Sequence, residues 1–148
     1  MAANAQSVLY SLPKESSHFE NSLNSHLKNS QEIIIITPSM NYPSLRRKLI
    51  KAISKGSKLT LITKNPLGDP VALVAYHDVT LLLYRETSLK NTIIIVDNSF
   101  ACHHQGSLDE NDRMDERKKI VCTNEMDTIY PIVNTINRFR THAKPYLE

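Results

Sequence analysis

The segment SLKNTIIIVD, from Ser88 to Asp97, carries residue types that could do chemistry in this chain. Polar residues, among them Lys90 and Thr92, precede four β-branched residues, 93–96, and the last residue of the segment, Asp97, carries a carboxylate. The run is typical of a buried strand. Because an ammonium is a good point-charge partner for phosphate, Lys90 is a candidate phosphate contact at the start of that strand.

Two adjacent histidines, His103 and His104, are candidate nucleophiles. A neutral imidazole can attack phosphorus near pH 7, whereas a lysine with an ordinary pKa of about 10.4 is mostly protonated. Since neighbouring strand residues point to opposite faces, at most one of the two rings can face a given cleft. No metal site or cofactor is predicted, because ligand spacing such as His-x3-His is missing. The other histidines are His18, His26, His77 and His142.

The composition predicts one globular domain without a membrane span. The chain has 148 residues, of which 41% are hydrophobic and 22% are charged, as in ordinary globular proteins. No apolar run approaches the roughly 20 residues that span a bilayer. The net charge of +3 permits a polyanionic partner without requiring one. We expect residues 1–5 to be a flexible N-terminus and residues 6–148 to form a single domain.

Alternating strands and amphipathic helices predict an α/β layered fold. The uniformly β-branched run at 32–37 indicates a strand that is covered on both faces. Phe19, Leu23 and Leu27 recur on one helical stripe, and a second helix begins at Pro43. A last helix is predicted to carry Ile129, Ile132, Val133, Ile136 and Phe139 on one side. Further strands are predicted at 7–12, 58–63, 79–84, 91–97 and 118–123.

The order of these elements resembles the phospholipase D superfamily, and specifically its short bacterial nucleases, which are single domains that dimerise. The segment SVLYSLPKES resembles the family's opening strand and turn, and LRRKLIKAISKGSKLTLIT its helix, glycine and strand. TIIIVDNSF followed by GSLDEN resembles the catalytic strand and its Gly-Ser turn. The resemblance covers nearly the whole chain and implies a phospholipase D-like layered domain, with α-helices flanking a mixed, mostly parallel β-sheet.

Three positions of this chain correspond to the family motif His-x-Lys-x4-Asp. Counting back from Asp97 places Lys90 where the His stands and Thr92 where the Lys stands. In the family the His forms a covalent phosphohistidine and the Lys holds the phosphoryl oxygens. Lys90 cannot be that nucleophile at its ordinary pKa, and Thr92 brings no charge. The resemblance therefore implies the fold without its catalysis.

The second half of the family motif, Gly-Ser-x-Asn followed by a Glu, is also altered. Gly106 and Ser107 match the Gly-Ser, and Glu116 corresponds to the later Glu. Asp109 stands in place of the Asn and puts a possible anion beside the phosphate position. We therefore expect all of these positions to be vestigial.

The family's nucleases hold DNA across a dimer, so the resemblance implies a DNA-binding homodimer. We expect sequence-independent binding of duplex DNA through its phosphate backbone, in DNA handling or uptake. Two alternatives stay open: a non-catalytic dimerisation or scaffold module, and a residual phosphodiesterase that uses His103 or His104. The candidate phosphate contacts are Lys90, Lys64, Arg85, Arg113, Arg117, Lys118 and Lys119.

The two cysteines, Cys102 and Cys122, fall on strands that lie close together in the family, so the resemblance allows a disulfide between them. The short nucleases are commonly exported. We therefore expect a periplasmic or exported protein, with the cytoplasm as the alternative.

Overall fold

An eight-stranded mixed sheet forms the centre of this computed structural model, which describes residues 6–110 and 118–146. The predictions made for residues 1–5, Arg113, Glu116 and Arg117 lie outside the described residues. The main sheet has the order β1-β9-β7-β6-β2-β4-β5-β10, and β3 pairs separately with β8. The strands are β1 (Ser7–Ser11), β2 (Glu32–Thr37), β3 (Met40–Asn41), β4 (Lys58–Thr63), β5 (Val79–Leu83), β6 (Asn91–Val96), β7 (Phe100–Gln105), β8 (Leu108–Asp109), β9 (Lys119–Thr123) and β10 (Lys144–Pro145).

Helices cover both faces of the main sheet. They are α1 (Ser16–Leu27), α2 (Pro43–Ser54), α3 (Asp69–Leu73) and α4 (Met126–His142). Ile33 and Ile35 of β2 pack into one core with α1, α2 and α3, whereas Ile34 and Ile36 pack into a second core with α4. The predicted two-sided burial of this β-branched strand is therefore confirmed.

The predicted α/β class and mixed sheet are confirmed, but the expectation of mostly parallel strands was wrong. Parallel pairing in the main sheet is confined to β2–β4 and β4–β5, and the remaining five pairings are antiparallel. The parallel pairs are connected through α2 and α3, as parallel strands require. In contrast, β6 and β7 are joined by a three-residue turn, residues 97–99, in which Asp97 and Asn98 have φ angles of 52° and 53° and the Ser99 amide donates to the Val96 carbonyl at 3.1 Å.

Cys102 and Cys122 lie directly opposite each other in the β7–β9 ladder, but both are free thiols, so the disulfide considered above is not formed. Both side chains are buried in the core that faces α1 and α2. Burial, reinforced by the neighbouring thiol, raises the pKa of Cys102 well above its ordinary value. The thiol form, which is the unreactive one, is therefore favoured.

Candidate nucleic-acid interface

One edge of the main sheet gathers most of the candidate site residues, and we call it the cleft edge. It comprises the carboxyl ends of β2, β4 and β5 together with the start of β6, the end of β7 and the start of β9. The antiparallel registers bring these ends together, since Ile36 pairs with Ile93 and His104 pairs with both Thr92 and Ile120. Ligands of open α/β sheets commonly bind at this kind of edge.

Thr92, at the position of the family's lysine, takes part in a buried hydrogen-bond network. Its side chain is fully buried, and its Oγ1 donates to the carbonyl of Gly106 at 2.7 Å. The hydroxyls of Thr92 and Thr37 lie 2.8 Å apart. With the Thr92 proton on Gly106, the one proton of the Thr37 hydroxyl is shared between Thr92 Oγ1 and the Ser39 carbonyl, which lies 2.7 Å away, and Thr37 Oγ1 accepts from the amide of Leu108 at 3.3 Å. The two threonines thus tie β2 and β6 to the segments that follow β2 and β7.

Asp97, the last residue of the motif, lies at the opposite end of β6. Its Oδ1 accepts from the backbone amides of Gln31 and Glu32, at 2.9 and 2.8 Å. These bonds satisfy main-chain donors at the start of β2. Asp97 therefore holds the β6–β7 turn against β2, a structural role far from the cleft edge.

Two lysines lie near the Gly106–Ser107 turn. Lys90 is exposed, and its carbonyl accepts from the Gly106 amide at 3.1 Å. On the other side, a Cβ added to Gly106 would lie 3.9 Å from Nζ of Lys118. Gly106 has a φ of +89°, a conformation that glycine adopts without strain. Asp109 is exposed on β8, close to the same turn.

The five described cationic candidates all lie along the cleft edge. Lys64 follows β4, Arg85 follows β5, Lys90 precedes β6, and Lys118 and Lys119 stand at the start of β9. From β9 to β5 the strand order spans five spacings, or roughly 24 Å at about 4.8 Å each. That length matches about seven base pairs of a duplex at ~3.4 Å each. Glu86 and Asp109 also lie at this edge, so it is basic but not uniformly so.

His104 is a buried residue with main-chain hydrogen-bond partners. Only 3% of it is exposed, and its Nδ1 lies 2.8 Å from the carbonyl oxygen of Lys119. It lines a cavity of about 10 Å³ with Tyr42 and Glu110 among others, which is room for about one water molecule. A phosphodiester cannot enter this space. His103 is exposed on the opposite face of β7.

The protonation of His104 should make the protein less stable in acid. Burial lowers the pKa of His104, against main-chain hydrogen bonds to Lys119 and Ser107 that raise it. A pKa below the unfolded value of about 6.5 means that the unfolded chain takes up the proton more readily. The contribution of His104 to the free energy of unfolding is therefore fully present well above pH 6.5 and is lost as the pH falls below that value. Urea denaturation midpoints from pH 7.5 to 5 measure this loss.

A matched pair of variants assigns the pH effect. His104→Gln should flatten the decline in stability between pH 6.5 and 5, whereas His103→Gln, which changes an exposed ring on the same strand, should leave it unchanged. Equal pH profiles for wild type and His104→Gln would contradict the assignment.

The residue pattern did not reveal a buried polar network beneath the cleft edge. The Tyr42 hydroxyl donates to Glu20 at 3.0 Å, and the Ser44 hydroxyl also donates to this carboxylate. Asp69, fully buried, accepts from the Tyr42 amide and forms an ion pair of 2.7 Å with Arg46. Burial, followed by the Glu20 charge, raises the pKa of Tyr42 well above its ordinary value, so the phenol stays protonated. These residues come from three segments of the chain, at 20, 42–46 and 69, and no local spacing connects the three.

No helix within residues 6–110 and 118–146 is long and apolar enough to cross a membrane. In the same residues, no group of three or more His, Cys, Asp and Glu side chains is arranged to hold a metal ion.

The central mixed sheet, with three helices on one face and one on the other, is a phospholipase D-like fold. NucT from Helicobacter pylori has this fold with a TM-score of 0.82 at 16% identity, over 97% of this chain and 100% of NucT. Nuc from Salmonella typhimurium, a phospholipase D family member, gives 0.76 at 13% identity, over 98% and 100%. TrmBL2, an archaeal chromatin protein described as showing a novel mode of DNA binding, gives 0.66 at 15% identity.

The match to TrmBL2 covers 94% of this chain and 53% of that protein. No protein-family model and no curated protein matches the sequence. At these identities the likeness to NucT, Nuc and TrmBL2 establishes the fold.

Proposed function

We propose that this protein is a non-catalytic phospholipase D-like domain that binds duplex DNA through its phosphate backbone, largely independently of sequence, in DNA handling or uptake. The proposal rests on the buried hydrogen bonds of Thr92. Its hydroxyl is committed to Thr37 and Gly106 inside the fold, where the family has a phosphate-binding lysine. Lys90, at the position of the nucleophile, is an exposed cation.

The cleft edge supports DNA as the partner. Five cations, spread over roughly 24 Å, can contact phosphates along a duplex backbone without reading its bases. The chain has the fold of NucT and Nuc and of a chromatin protein whose description names DNA binding. His104, the one imidazole that lines the small cavity near the Gly106 turn, is buried beyond the reach of a phosphodiester.

Titration of a labelled ~30-base-pair duplex at two salt concentrations, with a gel of the same mixtures, tests this proposal. We expect salt-sensitive binding without cleavage. Lys64→Gln/Lys90→Gln should weaken binding roughly tenfold at 0.1 M salt, and should lower the slope of log K against log salt by about 2, since each lost phosphate contact removes about 0.9. Arg47→Gln/Arg138→Gln removes two exposed cations away from the cleft edge and should change neither quantity.

Three results would oppose this proposal. Cleavage of the duplex, abolished in His104→Ala, would establish the residual phosphodiesterase instead. Absence of binding at both salt concentrations would remove DNA as the partner. Equal losses of duplex affinity in Lys64→Gln/Lys90→Gln and in the control pair would show that the cleft edge is not the DNA-binding surface.

A dimerisation or scaffold module is the second candidate, and an exposed apolar row favours it. Leu9 of β1 and Val121 of β9 are register partners and are 51% and 38% exposed. They lie on the sheet face that α4 covers only in part, beside His103. Analytical ultracentrifugation of wild type and Leu9→Ser/Val121→Ser tests this candidate: a dimer that becomes a monomer in the variant would support it, and a wild-type monomer would exclude it.

A further inference from the structure

A second basic surface lies at the end of the sheet opposite the cleft edge. A cavity of about 960 Å³ opens beneath the starts of β2 and β4, and Lys28, Lys55 and Lys58 line it. A groove between α1 and α2 adjoins it, lined by Lys28, Lys48, Lys51 and Lys55. Because Lys28 and Lys55 belong to both, the two form one continuous surface, which we call the basic trough. Asn29, Gln31 and Asn98 add amide groups to its lining.

The charge of the basic trough is largely uncompensated. Lys28, Lys51, Lys55 and Lys58 make no ion pair with any carboxylate in residues 6–110 and 118–146, whereas Lys48 approaches Glu20 at 3.8 Å. The two acidic residues in the lining are both engaged. Asp97 accepts two backbone amides, and Glu32 lies 3.7 Å from Arg140. The lysines that line the trough outnumber these two carboxylates, so the potential along it is positive.

Helix dipoles account for only part of this arrangement. Lys28 and Lys55 follow the carboxyl ends of α1 and α2, where cations stabilise a helix. Lys58 lies on β4 instead, across an open cavity from both helix ends. A cavity of this size, with lysines and amides around it, has the chemistry of a phosphate-binding surface rather than of helix termini alone.

Resting on the DNA binding proposed above, we propose that the basic trough is a second contact surface for the phosphate backbone of duplex DNA. Its elongated form, from the α1–α2 groove to the turn at Asn98, fits an extended polyanion better than a compact one. The six-residue strands β2 and β4 place it roughly 20 Å from the cleft edge. A straight duplex seated on the cleft edge does not reach that far, so the trough contacts a separate or wrapped stretch of DNA.

Duplex titration of Lys28→Gln/Lys55→Gln tests the trough, with Arg47→Gln/Arg138→Gln as the control pair. All four side chains are exposed, so the folds should be preserved. We expect the trough pair to bind a ~60-base-pair duplex roughly tenfold more weakly at 0.1 M salt, with a salt slope lower by about 2, and the control pair to match wild type. Lys64→Gln/Lys90→Gln is measured alongside, so that loss at the cleft edge is distinguished from loss at the trough.

Equal affinity and slope in the trough pair and the control pair would overturn this inference while leaving the cleft edge as a DNA surface. If only the trough pair binds the duplex more weakly, the inference is upheld, and the trough rather than the cleft edge is the DNA-binding surface. Two competitors test other polyanions. If the trough pair loses binding of tripolyphosphate or of phosphatidylglycerol vesicles but keeps full duplex affinity, the trough serves a compact phosphate or an anionic membrane, and the DNA assignment fails.

Discussion

Asp69→Ala should lower the free energy of unfolding by about 1.5–3 kcal/mol, because it leaves a buried backbone amide without its acceptor and removes the ion pair to Arg46, whose side chain is 33% exposed. Asp69 is fully buried, and its two carboxylate oxygens accept from the Tyr42 amide and from Arg46. The alanine variant leaves the Tyr42 amide without an acceptor and Arg46 without its counter-charge. Such a loss is a large share of the about 5–15 kcal/mol that stabilises a typical domain.

Urea denaturation of Asp69→Ala, with Asp78→Ala as the control, measures this effect. Asp78 is a half-buried carboxylate on the segment after α3, and it makes no side-chain ion pair within the described parts of the chain. If Asp69→Ala does not fold, Asp69→Asn keeps an acceptor for the Tyr42 amide and should show an intermediate loss. Equal stabilities of the Asp69 and Asp78 variants would contradict the assigned role of Asp69 in holding α2 and β3 in place.

The sequence predicted those parts of the fold that depend on local periodicity. The run of isoleucines at 33–36 alternates between the two cores, and the stripe of Phe19, Leu23 and Leu27 is buried in α1. These patterns report which faces of an element are covered, so strands and helices could be placed from them. They do not report strand partners, which explains why the share of parallel pairing was overstated.

The candidate site was only partly visible in the sequence for a similar reason. The β-branched run predicted a strand between Lys90 and Asp97, which β6 confirms, but it could not show what the side chains of Lys90, Thr92 and Asp97 contact. Thr92 bonds to a threonine 55 residues earlier, and Asp69 to an amide 27 residues earlier. Contacts of this range depend on the tertiary fold and leave no periodic signal. Lys48 and Lys51 of the trough likewise follow the ordinary pattern of the solvent-exposed face of a helix, α2, and only the tertiary structure shows the groove that they line.

Thr37→Val and Thr92→Val should each lower the free energy of unfolding by about 1–3 kcal/mol, and the double variant should lose less than the sum. Each substitution keeps the side-chain shape but leaves buried partners unsatisfied, which costs roughly that amount. The Thr37 and Thr92 hydroxyls lie 2.8 Å apart, so one bond is lost in either single variant and cannot be lost twice. We expect a coupling energy of about 1 kcal/mol.

A matched double-mutant cycle on Thr60 and Thr80 provides the control. These threonines are register partners on β4 and β5, and Thr80 is exposed and Thr60 half-buried. Their valine variants should change stability by no more than about 0.5 kcal/mol each, with no coupling. A Thr37–Thr92 coupling that is no larger than the control would mean that the two threonines do not share a hydrogen bond.

Duplex binding by the same valine variants separates structure from recognition at the cleft edge. If Thr92 acts only within the fold, Thr92→Val should bind DNA with wild-type affinity and an unchanged salt slope, despite its lower stability. The phosphate contacts are then made by cations such as Lys64 and Lys90. A selective loss of DNA affinity in Thr92→Val, at a temperature where the variant is fully folded, would instead place this hydroxyl among the DNA contacts.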